Sequence, residues 1–159
     1  MEGLVESAKQ NAKASLDQLL KTFSFVPVDK QNWSPSPTAK SAQQILAHCA
    51  VSNGVFTAII NGDPFPPGPL EAVFANFEAE EKRLTTVDSA KEALIQSIQP
   101  VYAALDKLTP DRIGSIVETP VLNAPMPFFM NLPGIHMGNH AAQIDYLQTC
   151  WGDLDPHFG

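Results

Sequence analysis

Four stretches of the chain carry apolar residues three and four positions apart, which is the spacing of one face of an α-helix. They cover residues 4–23, about 41–61, about 86–108 and about 131–151. Most of the 14 prolines fall between these stretches, where they prevent one helix from running into the next. The pattern predicts an all-α domain over residues 1–159, in which the four helices bury their apolar faces against one another.

The connection between the second and third stretches holds a further apolar segment that Pro69 opens and that continues through Phe77. Proline is tolerated at the first position of a helix, so we expect a short extra helix here. A connection of this length can cross the bundle, which makes an up-down-down-up four-helix bundle plausible. The charges that follow, Glu80 and Glu81 among them, are interpreted as a solvated surface.

Helix ends can be placed from capping signals. Ser41 followed by Gln44 fits a capping box at the start of the second helix, and Gly62 fits its left-handed end. Asn131 is the expected cap of the last helix, with Pro133 in its first turn.

The longest irregular stretch covers residues 109–130 and contains four prolines. Residues 115–121 fit either a short hairpin arm or an extended strap. The apolar residues 126–130, which include Phe128, suit a pocket wall and a dimer contact equally well. His157 in the tail is expected to be exposed and uninvolved.

Composition narrows the choice of partners. The formal net charge is −7 and the pI about 4.9, without a cluster of basic residues, so neither nucleic acid nor an anionic membrane is an expected partner. No apolar run approaches the ~20 residues of a membrane span. The first residues lack the features of a signal peptide, and Cys49 and Cys150 do not form a disulfide framework. These observations predict a cytoplasmic protein with reduced thiols.

Histidines suggest the chemistry. His136 and His140 are four residues apart on one helical face, so both imidazoles can reach one point, as metal ligands do. A third ligand would have to come from another helix, and His48 on the apolar face of the second helix is the candidate. Taken alone, a histidine at such a position is more often a packed core residue than a ligand.

Three motifs together resemble one family. They are Trp33-Ser34-Pro35, the segment from Ser41 to His48, and the segment from His136 to Gln143 with Tyr146-Leu147 after it. In order and spacing they resemble the DinB-like, or YfiT-like, family of metalloenzymes. The resemblance implies a helical bundle, often a homodimer, that binds zinc or nickel through His48, His136 and His140. Asn139, beside the last ligand, departs from the histidine often found there, which bears on the fine chemistry rather than on the three ligands.

Three neutral imidazoles leave a metal its full charge and an open position for water or a thiol. Because the family includes thiol-dependent S-transferases and isomerases, the first interpretation is an enzyme that joins a low-molecular-weight thiol to a small-molecule substrate. A metal-dependent hydrolase, a non-catalytic metal-binding bundle and a scaffold with core histidines are the alternatives. Gln143, Trp33 and Phe128 are candidate pocket residues, although Trp33 is interpreted first as a lid over the end of the core.

Overall fold

The computed structural model describes residues 2–155 and 157 and is mostly helical. Its helices are α1 Glu2–Ser24, α2 Ala42–Asn61, α3 Leu70–Glu81, α4 Val87–Asp106, α5 Pro110–Ile113 and α6 Met126–Cys150, and a 3-10 turn covers Val28–Lys30. Two three-residue strands, β1 Ile116–Glu118 and β2 Asn123–Pro125, pair antiparallel as a hairpin. The mostly helical class is confirmed, and the irregular stretch forms the hairpin rather than the strap. None of the described helices has the length and apolarity to cross a membrane.

The four long helices share the core. Helix α1 packs against α6 and α4, and α2 packs against α4 and α6. Each contributes side chains that are fully buried, for example Leu19 from α1, Leu46 from α2, Leu94 from α4 and Ile144 from α6. Burying a leucine or isoleucine stabilises a fold by roughly 1.5–3 kcal/mol, so these stripes account for the docking of the helices.

Both ends of α2 follow the predicted capping signals. Ser41 accepts a hydrogen bond from the Gln44 N–H, the Gln44 side chain accepts one from the Ser41 N–H, and Gly62 ends α2 at φ 81°. Thr86 caps α4 in the same way. These turns depend on neighbouring residues alone, which is why the sequence predicts them.

The start of α6 differs from the prediction. The helix begins at Met126, so Asn131 is not its cap and Pro133 lies inside it. Pro127 occupies the first turn, where its missing N–H costs no hydrogen bond. The Asn131 side chain instead donates to the Pro127 carbonyl at 2.9 Å.

Close packing of α1 against α6 explains one glycine. A Cβ at Gly134 would lie 2.6 Å from the side-chain nitrogen of Asn11, closer than real contacts allow. The two helices can therefore approach each other here only because α6 has no side chain at this position.

Helix α3 lies against α2 and is weakly anchored, with Val73 as its one buried residue. The apolar residues 126–130 form the first turns of α6. Phe129 and Met130 are buried in the core, and only Phe128, 38% exposed, reaches the surface.

The prediction that His157 is exposed is wrong. Its ring stacks on Phe25 with centroids 4.3 Å apart, and its Nε2 lies 3.0 Å from a carboxylate oxygen of Asp153. Stacking and an acidic partner hold the side chain at 9% exposure, away from the other three histidines. Residues 156, 158 and 159 of the tail lie outside the described part.

Candidate metal centre

Three histidines from two helices meet where α2 packs against α6. The Nε2 atom of His136 lies 3.2 Å from Nε2 of His48 and 3.2 Å from Nε2 of His140. One ligand atom from each ring lies within 4.8 Å of the others, an arrangement that could hold a divalent metal ion. Helix α6 supplies two rings because positions four apart share a face, and α2 supplies the third.

A carboxylate supports the His48 ring from behind. Glu81, the last residue of α3, has one oxygen 2.7 Å from His48 Nδ1 and a second oxygen that accepts from Lys40. A carboxylate only accepts, so His48 Nδ1 donates to it, and Nε2 is the ring nitrogen directed at the cluster. Burial raises the pKa of Glu81, but the hydrogen bonds from His48 and Lys40 outweigh burial and lower it below its usual value.

An amide supports the His140 ring in the same way. The Oε1 atom of Gln143 lies 2.7 Å from His140 Nδ1, one helical turn further along α6. The contact favours the proton on Nδ1 and leaves Nε2 free to ligate. Gln143, predicted as a pocket neighbour, is thus placed directly behind a candidate ligand.

His136 is enclosed on the Nδ1 side of its ring. Its Nδ1 atom is buried without a hydrogen-bond partner in the described part of the chain, and the Phe56 ring packs edge-on against it at 5.2 Å. Burial first, and then the nearby rings of His140 and His48, lower the pKa of His136 to about 3. Burial and then His48 also lower the pKa of His140.

The donor set fits a metal ion. Lone-pair nitrogens directed at one another do not satisfy each other, whereas a cation placed among them satisfies all three. Because the lowered pKa values keep His136 and His140 uncharged at neutral pH, both rings are ready to ligate.

Sequence reasoning missed Glu81 and Phe56. The charge pattern of α3 places Glu81 on a solvated surface, but its side chain is only 12% exposed. The signal available was general: a ligating histidine almost always donates its second ring N–H to an acceptor. Nothing local identified which of the acidic residues of α3 would be that acceptor.

Two other candidates lie elsewhere. Trp33 packs against the core and meets Trp151 edge-on with ring centroids 5.4 Å apart, as expected for a lid over the end of the core. Phe128 contacts Phe129, two helical turns before His136. Their assignment to a substrate pocket stays a prediction. Cys49 is buried, and burial, then the charge of Glu81, raises the pKa of its thiol to about 12.

Comparisons with known proteins identify a family for the sequence. The profile of the DinB superfamily matches residues 11–144. No curated protein matches the sequence.

Solved structures share the fold at low identity. A mycothiol-dependent maleylpyruvate isomerase, solved as a mutant, superposes with a TM-score of 0.71 at 13% identity, over 88% of this chain and 60% of the isomerase. A protein from Streptococcus pneumoniae gives 0.71 at 12% identity over 91% and 90% of the two chains. The colibactin self-resistance protein ClbS, solved in complex with double-stranded DNA, gives 0.67 at 12% identity over 92% and 96%. This chain therefore spans less than two thirds of the isomerase.

Proposed function

Because the chain belongs to the DinB superfamily, we propose that it is a metal-dependent enzyme that joins a low-molecular-weight thiol to a small electrophile. The observation that carries this proposal is the convergence of three histidine Nε2 atoms, two of which have acceptors behind their rings. Pre-oriented imidazoles of this kind are typical of a metal centre rather than of core packing.

The ligands in this proposal are His48, His136 and His140, and the ion is zinc or nickel, which imidazole nitrogen suits. Three protein ligands leave a position open to solvent or substrate. A bound ion supplies a positive charge that keeps a thiol or a water molecule deprotonated near neutral pH.

Residues of the chain hold and shield this centre. Glu81 and Gln143 fix the rings of His48 and His140, and Lys40 balances the Glu81 charge. Phe56 covers one side of His136, which limits the access of water.

The proposed transfer forms a carbon–sulfur bond and breaks the bond from carbon to the leaving group. The leaving group departs with its electron pair, and the thiol proton goes to water.

A thiol is the preferred nucleophile for two reasons. The isomerase that shares the fold is described as mycothiol-dependent. In addition, Glu81, the carboxylate that contacts the cluster, is engaged by His48 and Lys40 and is not free to serve as a general base. A thiol of low pKa needs such a base less than water does.

We also propose the up-down-down-up bundle. Gln148 of α6 donates to the Thr22 carbonyl near the end of α1, and Asn11 contacts Asn131 in the first half of each helix, which supports parallel α1 and α6. The pair Lys9–Asp106 joins the first half of α1 to the end of α4, which supports opposite directions.

We further propose that the protein is a homodimer that acts on small molecules. We also propose that it does not bind nucleic acid, since its net charge is −7.

The test is conjugation of monochlorobimane to a panel of small thiols by metal-loaded protein, with His140→Ala as the inactivated variant and His157→Ala as a matched histidine control. Wild type and His157→Ala should accelerate conjugation with at least one thiol, and His140→Ala should not. Equal rates for wild type, His140→Ala and buffer with every thiol would reject the transferase. Ester hydrolysis by the metal-loaded protein would then favour the hydrolase, and its absence a non-catalytic metal site.

A further inference from the structure

Helix α2 borders a cavity in addition to carrying a histidine of the cluster. A cavity of about 290 Å³ opens between α2, the connector that follows it and the end of α3. Its walls include Val51, Val55 and Ala58 from α2, Phe65 from the connector and Phe77 from α3. Small-molecule sites are typically concave and lined by apolar and aromatic side chains such as these, and this cavity is at the small end of their size range.

Residue spacing on both helices relates the cavity to the candidate metal centre. Val51 and Val55 follow His48 by three and seven residues, so all three lie on one face of α2. Phe77 precedes Glu81 by four residues on α3, and Glu81 holds the His48 ring. On this spacing, a molecule with its reacting atom at the histidines would need to extend about one helical turn along α2 to reach the cavity.

Charge restricts what the cavity accepts. Two carboxylates, those of Asp63 and Glu80, lie among its lining residues, and Glu80 pairs with Arg83 at 2.7 Å. No lysine or arginine is among the described residues that line it. An anionic group would lose its hydration here and face carboxylates, so a neutral group is favoured.

We propose that this cavity is the specificity pocket of the enzyme and receives an uncharged apolar group of the electrophile, about one aromatic ring in size. The inference rests on the proposed function for the identity of the ligand, since it assumes that the electrophile reacts at the histidines. The existence of the pocket itself can be tested without turnover.

Gly54 is a position at which a larger side chain would occupy the cavity. It lines the cavity in the middle of α2, and a Cβ added there meets no atom within 4 Å. A leucine side chain at this position would start from an unobstructed Cβ and extend into the space of the cavity, and leucine favours the helix more than glycine does. The variant Gly54→Leu should therefore be at least as stable as wild type.

Gly3 provides the matched control. It is also a helical glycine with open space at its Cβ, and it lines a different cavity of about 680 Å³ between α1 and the region of Leu105 to Ile113. Gly3→Leu makes the same chemical change in the same type of secondary structure away from the histidines.

The first experiment measures binding of benzyl alcohol to metal-free protein by NMR titration, with benzoate as the anionic analogue. We expect a roughly millimolar dissociation constant for wild type and Gly3→Leu, at least tenfold weaker binding to Gly54→Leu, and weaker binding of benzoate to all three. If benzyl alcohol does not bind to wild type, or binds equally well to wild type and Gly54→Leu, the proposal that this cavity is a binding pocket is wrong. Thermal melts check that each variant is folded. The variant Gly54→Ala adds a single methyl group and should bind benzyl alcohol nearly as well as wild type.

The second experiment compares thiol conjugation of benzyl chloride with that of methyl iodide by the metal-loaded protein. Gly54→Leu should lower kcat/KM for benzyl chloride at least tenfold and leave methyl iodide within twofold. Equal losses for both electrophiles would contradict the specificity role. Binding that follows the expected pattern without conjugation of either electrophile would reject the transferase and leave the pocket standing.

Discussion

Replacing Glu81 with Gln removes the negative charge behind His48 and keeps an oxygen acceptor of nearly the same shape. The carboxylate oxygen lies 2.7 Å from His48 Nδ1, and the side chain is only 12% exposed, so water replaces it poorly. If the three histidines bind a divalent ion, the lost charge should weaken binding, because an acceptor on the second ring nitrogen raises the basicity of the ligand.

The size of this effect can be worked out from the geometry. An ion on the opposite side of the imidazole is on the order of 7 Å from the carboxylate, where two unit charges interact by about 2.4 kcal/mol at an effective dielectric constant of 20. A divalent ion doubles this interaction, and the Lys40 ammonium on the same carboxylate offsets part of it. We expect a net loss of about 2 kcal/mol in the free energy of metal binding, which corresponds to a roughly 30-fold larger dissociation constant.

The assay is competition for zinc between the protein and a chromophoric chelator at pH 7.5. Glu80→Gln is the matched control, because Glu80 precedes Glu81 on α3 but pairs with Arg83 at the surface, and its affinity should stay within twofold of wild type. Glu81→Ala, which also removes the acceptor, should bind more weakly than Glu81→Gln. An affinity of Glu81→Gln within threefold of wild type would refute the role assigned to this carboxylate.

Three further predictions concern metal content, thiol reactivity and association. Elemental analysis after zinc loading should give about one ion per chain for wild type and none for His136→Ala or His140→Ala. Zinc binding should persist as pH falls through the usual histidine pKa of about 6.5 and weaken only at lower pH, because burial lowers the pKa of His136 to about 3 and also lowers that of His140. At pH 8 a thiol reagent should modify Cys150, which is exposed, and not Cys49, whose thiol pKa of about 12 keeps it protonated; two modified thiols per folded chain would contradict this. Light scattering at micromolar concentration should give the mass of a dimer that Phe128→Ser weakens, and a monomer for wild type would end the homodimer proposal.

Features that depend on neighbours in sequence are the ones the sequence predicts well. The capping box at Ser41 and the left-handed Gly62 are set within one turn, and the shared face of His136 and His140 follows from helical periodicity. The start of α6 shows the limit of such signals. Pro127 and Pro133 both fit the first turn of a helix, and only tertiary packing, with Met126, Phe129 and Met130 in the core, decides between them.

Features that depend on two elements meeting could not be derived locally. The position of His48 opposite α6 required the resemblance to a family, because periodicity alone favours a core histidine there. The contact of Glu81 with His48 could not be predicted from the sequence for a further reason. Helix α3 contains several glutamates, and which of them turns inward depends on how the crossover places α3 on α2.

Helix α3 raises the question of what holds it in place. Burial explains little, because Val73 is its one buried residue, whereas each long helix buries several. Its last turns, however, make two specific contributions beside α2: Glu81 contacts His48, and Phe77 lines the apolar cavity together with Val51. A peripheral helix with few packing contacts is free to adjust without disturbing the core. We infer that the role of α3 is to position Glu81 and Phe77. Substitutions in α3 should therefore change the ligand or substrate preference more readily than substitutions in the four long helices.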